Sequence, residues 1–92
     1  MTIRDAFLLR DHTETIGGVA FTLRRPSALD VLEALEVGAR TPTRVPAWLV
    51  WRHLVEDGKP VFATLEDVLN ADGVLVARVA EIAERLYTEG RD

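Results

Sequence analysis

The chain has 92 residues, no cysteine and a formal net charge of −4, and 48% of its residues are hydrophobic. That length argues for one domain, 1–92, with a modest core, and so much apolar content excludes a disordered segment. The lack of cysteine removes disulfides, thiolate zinc sites and thiol nucleophiles, and the acidic balance disfavours nucleic acid, whose phosphates want a concentrated basic face.

Apolar runs such as Ala6–Leu9 and Val74–Ala77 fall far short of the roughly 20 residues a membrane span needs. The opening Met1-Thr2-Ile3-Arg4-Asp5 meets an acid at once and carries no signal-cleavage pattern, so the expected location is the cytosol, away from membranes. Lysine occurs once, at Lys59, asparagine once, at Asn70, and glutamine not at all. A thermophilic source and GC-rich codon usage would each produce that bias.

Along the chain, Thr2 and Asp5 have capping-box spacing ahead of Ile3, Ala6 and Phe7, which admits a short first helix, although Ala6–Leu9 could equally be a strand. Residues 13–25 then read as a hairpin turning at Gly17-Gly18, because two-residue turns need positive φ. Val19, Phe21 and Leu23 alternate, so one strand face should point inward. Arg24-Arg25, the only adjacent basic pair, reads as a solvated strand end. Ser27 and Asp30 have box spacing again, and a helix is expected over about 27–37 with Gly38 as its stop. Ala28, Val31, Leu32 and Leu35 form its apolar stripe, leaving Asp30 and Glu33 facing out.

A polar linker with Pro42 leads to a helix at about 46–55, opened by Pro46. Trp48, Trp51 and Val55 lie on one stripe and Ala47, Val50 and Leu54 on another. A helix so apolar all round is either central to the core or covered by a partner. Glu56-Asp57-Gly58-Lys59-Pro60 is a tight turn. Thr64 with Asp67 caps a short helix at 64–70. Asp72 caps the last, 73–87, whose main stripe is Leu75, Val79, Ile82 and Leu86. Val76, Ala80, Ala83 and Tyr87 lie beside that stripe, and Glu81 and Arg85 can pair at i,i+4 on the wet side. The fold class is α+β: a mainly helical small domain of three to four helices with one N-terminal β-hairpin.

Catalytic signatures do not emerge. His12 and His53 lie far apart with no ligand-spaced acids, so no metal or cofactor is expected. Gly17-Gly18 precedes a strand and lacks the Lys-Ser/Thr of a phosphate loop, and there is no Gly-x-Ser-x-Gly elbow. Glu56-Asp57 and Glu66-Asp67 read as turn and first-turn acids. An enzyme is not expected. The most informative side chains are Trp48 and Trp51, which serve either as core or as interface anchors.

From Gly18 to Leu86 the order of signals resembles the tail assembly chaperones of long-tailed bacteriophages. The resemblance is carried by "GGVAFTLRRPSALDVLEALE", by "WLVWRHLVEDGKPVF" with its Asp57-Gly58-Lys59-Pro60-Val61-Phe62 turn, and by "TLEDVLNADGVLVARVAEIAERL". It implies a non-enzymatic protein that binds the tape measure protein, helps recruit the tail tube protein, forms homo-oligomers, acts in the host cytoplasm and is absent from the mature virion. Under that reading, Trp48, Trp51, Leu75, Val79 and Leu86 are the candidate side chains for packing a helical client segment. The rivals are a minor tail or head–tail connector subunit and a small bacterial adaptor or regulator.

Overall fold

The computed structural model describes residues 1–88. Helix α1 (Ile3–Ala6) is one turn, closed by the reciprocal box of Thr2 and Asp5, and none of its residues is buried. Strands β1 (Asp11–Ile16) and β2 (Val19–Arg24) pair antiparallel, with Thr13 opposite Thr22. Gly17 and Gly18 take φ of 58° and 82°, the left-handed values that the turn demands. The inward alternation of β2 holds in its second half. Leu23 is fully buried and Phe21 packs on the core, whereas Val19, beside the turn, is exposed.

Helix α2 (Ala28–Arg40) starts at Ser27, whose hydroxyl accepts the Asp30 N–H while the Asp30 carboxylate accepts the Ser27 N–H. It passes through Gly38 rather than stopping there, and it sits the other way round from the expected stripe. Asp30 is fully buried, and Ala34 and Val37 pack on the core, whereas Leu32 and Leu35 point to water. The reason lies in what Asp30 binds, described below.

After one 3-10 turn at Pro42–Arg44, helix α3 (Val45–His53) buries Ala47, Trp48, Leu49, Val50 and His53, and so is the central helix of the core. It ends two residues sooner than its apolar pattern suggests. Leu54 turns extended, and β3 (Leu54–Glu56) pairs antiparallel with β2, placing Leu54 opposite Leu23 and Val55 opposite Thr22. A second hairpin follows, in place of the lone turn expected there. Asp57 and Gly58 take φ of 52° and 77°, returning the chain to β4 (Lys59–Pro60). Pro60 lacks an N–H and is tolerated because β4 is an edge strand. The sheet order is β1-β2-β3-β4, all antiparallel, so the domain is α+β with two hairpins among the described residues.

Helix α4 (Leu65–Leu69) has the Thr64–Asp67 box, and α5 (Gly73–Leu86) is capped by Asp72, whose carboxylate accepts the N–H of Val74 and of Leu75. Helix α5 packs along α3 and buries Val79, Ala80, Ile82, Ala83 and Leu86, matching its two predicted stripes. Arg85 pairs with Glu14 on β1 at 2.9 Å rather than with Glu81, tying the end of α5 to the first strand. No helix among the described residues is long and apolar enough to cross a membrane.

Candidate functional site

Two kinds of surface emerge where the elements meet: a polar knot that fastens them, and apolar clefts that a partner could fill. The knot is centred on Asp30. Its Oδ1 accepts from Arg52 Nε at 2.7 Å, and its Oδ2 accepts from Arg24 Nη1 at 3.1 Å and from the Ser27 N–H at 2.9 Å. Arg52 also reaches Glu33 at 3.0 Å, and Arg24 Nη2 donates to the Arg52 carbonyl at 3.3 Å. Burial alone would raise the Asp30 carboxyl, but the hydrogen bonds from Ser27, Arg52 and Arg24 outweigh it and hold the pKa at about 2. The same bond to Asp30 raises Arg52 above its ordinary value. Arg24 is thus a clamp between β2, α2 and α3, not a solvated strand end.

His53 extends the knot to α5. Its Nδ1 lies 2.8 Å from the Arg24 carbonyl, which can only accept, so Nδ1 carries the proton. Nε2 then accepts the Tyr87 hydroxyl at 2.5 Å. Trp48 and Tyr87 lie nearly perpendicular to the ring, at centroid distances of 6.2 and 5.3 Å. Burial pushes the His53 pKa down, keeping the imidazole neutral, and pushes the Tyr87 phenol up. Among the described residues no buried side-chain nitrogen or oxygen lacks a partner. With its carboxylate and imidazole engaged in this way, the knot is suited to joining four elements rather than to moving protons.

Two clefts border α3, and the wider one opens beside the knot's own Arg24 and Arg52. A slot of about 130 Å³ is lined by Phe21, Val50, Leu54, Phe62, Val76 and Val79, with Val61 and Leu75 at its lip and Asp72 beside it. A wider, open cleft of about 480 Å³ runs past Arg24, Trp51, Arg52, Pro60 and Phe62, so the two meet at Phe62. The second hairpin creates both, because the chain leaving β4 carries Val61 and Phe62 back across the end of α3.

The five candidate anchors fare differently. Trp48 and Leu86 are interior, part of the shared core of α3 and α5, and present no face to a client; Val79 is buried as well but lines the slot, so it stays a candidate contact. Trp51 is half-buried in the wall of the open cleft, its indole N–H donating to the Ala63 carbonyl at 3.4 Å. Leu75 keeps 37% of its surface at the lip of the slot. Trp51 and Leu75 therefore line different clefts. Phe21, Val61 and Phe62 also line the slot, and no stripe or motif in the sequence singles them out for a client. The signal available for their position was the Asp57-Gly58 pair followed by Pro60, which marks a hairpin as well as a turn. A third surface, the outer face of α2, exposes Leu29, Leu32 and Leu35 at 57%, 60% and 68%.

No family model matches the chain, and neither does any curated protein or solved structure.

Proposed function

We propose that this protein is a tail assembly chaperone of a long-tailed bacteriophage: a non-enzymatic protein that packs a helical segment of the tape measure protein and assists assembly of the tail tube. It would work in the host cytoplasm and be absent from the mature virion. The observation that carries the reading is the apolar slot between the second hairpin and α5. Its volume of about 130 Å³ is close to the roughly 150 Å³ of an apolar cavity that holds benzene, so it can take one aromatic or branched side chain. A client helix laid across Leu75 and Val61 would insert such an anchor, and helix-in-groove contacts draw most of their affinity from a few side chains of this kind. The resemblance from Gly18 to Leu86 supplies the client: a long helical protein with apolar surface that must stay soluble before assembly.

Co-expression with the cognate tape measure protein tests the proposal. The wild type should co-purify with it and keep it soluble. Leu75→Glu, at the exposed lip, should stay folded and weaken binding about 30-fold or more, the equivalent of one anchor. A folded wild type that neither co-purifies with the client nor solubilises it would end the chaperone assignment.

A further inference from the structure

The outer face of α2 has no function in the fold or in the slot. Ala28, Leu32, Leu35 and Ala39 follow one another in steps of four, three and four residues, and all four are exposed. That spacing is the seam of a helix pair. The series also reads the same from either end: alanine, leucine, leucine, alanine. A two-fold axis perpendicular to the helix, between Leu32 and Leu35, would set Leu32 against Leu35 of a second copy and Ala28 against its Ala39. The bulky pair would meet at the centre and the small residues at the ends.

Electrostatics points to the same occupant. An isologous contact brings each charge on a face against the same face, so a face with net charge repels its own copy. The chain as a whole carries −4. Beside this stripe, however, Glu33 is already paired with Arg52 at 3.0 Å, and Glu36 has Arg40 one turn further on. The face is therefore close to neutral within an acidic protein. Leu29 widens it on the same side as Glu36, and the three leucines are among the most exposed large apolar side chains between residues 10 and 70.

We infer that α2 is a homodimer interface, formed by antiparallel packing of α2 on α2 of a second copy. The chaperone resemblance implies self-association without a surface for it; the α2 face supplies one, apart from the slot, and its test does not involve the client. A contact along one 13-residue helix covers less than the roughly 800 Å² per partner of a standard interface, so the dimer is weak and in exchange with the monomer.

Sedimentation equilibrium of the full chain from about 1 to 300 µM tests it, a range suited to a weak dimer. The mass should rise from 10.2 kDa toward twice that value. Leu32→Glu combined with Leu35→Glu should weaken association about 30-fold or more. The thermal midpoint at low concentration should not fall, since both leucines already face water. Orientation is read by cross-linking, which the natural absence of cysteine makes clean. An equimolar mixture of Ala28→Cys and Ala39→Cys chains should oxidise to the mixed disulfide. Ala28→Cys alone should cross-link far more slowly, because an antiparallel seam holds its two copies about 16 Å apart along the axis, beyond disulfide reach. A monomer throughout the range, an unchanged dimer in the double glutamate variant, or Ala28→Cys cross-linking as fast as the mixture would each overturn the inference.

Discussion

Replacing Asp30 by asparagine should lower stability by about 2–3 kcal/mol near neutral pH. Two routes lead to that figure. The carboxyl sits at about 2 in the folded protein, against 3.8 for the ordinary group. At about 1.4 kcal/mol per unit, ionisation of Asp30 alone then contributes about 2–3 kcal/mol. Separately, breaking a buried ion pair from one side costs about 3–5 kcal/mol. Here Arg24 and Arg52 keep 35% and 27% of their side-chain surface and can turn toward water, which reduces that cost. In a domain of this size the loss should drop the thermal midpoint by about 10–20 °C. The pH dependence separates this mechanism from a packing defect. A carboxyl whose folded pKa is depressed stabilises above the unfolded pKa, and that stability is lost as pH falls through the folded value. The gap between wild type and Asp30→Asn, measured by urea unfolding, should be constant from about pH 7 to 5 and shrink between about pH 4 and 2. A gap under about 0.5 kcal/mol at neutral pH, or one that persists undiminished to the lowest pH, would refute the ion-pair account.

Because His53 is held neutral by burial, the unfolded chain takes up its proton first. The imidazole's contribution should be complete above about pH 6.5 and decline as pH falls below it, and His53→Gln should flatten urea midpoints across that window. Tyr87→Phe leaves the buried His53 Nε2 without its donor and should cost about 1–2 kcal/mol in the same assay. Changing both Gly17 and Gly18 to alanine should cost about 1–3 kcal/mol, because both hold positive φ; unchanged midpoints would show that the turn has another geometry. Deleting residues 1–9, all exposed, should shift stability by no more than about 0.5 kcal/mol, and a larger fall in the denaturation midpoint would show that this segment packs on the body.

Local chemistry was readable from the order of residues. The boxes at Thr2–Asp5, Ser27–Asp30 and Thr64–Asp67, the Asp72 cap and the Gly17-Gly18 turn all form as their spacing predicts, because each is settled by atoms within three or four residues. The stripes of α5 were readable too, since a helix with one consistently apolar side has a single favourable way to face a core. Only the tertiary structure decided the rest. Leu54 and Val55 carry an apolar pattern that fits a helix, and pairing with β2 made them a strand. Helix α2 offered two competing faces, one with leucines at heptad spacing and one with Asp30, and hydrophobicity alone favours burying the leucines. Arg24 and Arg52, 6 and 22 residues away in the chain, converge on Asp30 and turn it inward, which leaves Leu32 and Leu35 outside. Likewise the slot beside Leu75 exists because the second hairpin returns Val61 and Phe62 to the end of α3. Contacts between residues distant in sequence choose among locally acceptable alternatives, and periodicity carries no record of that choice.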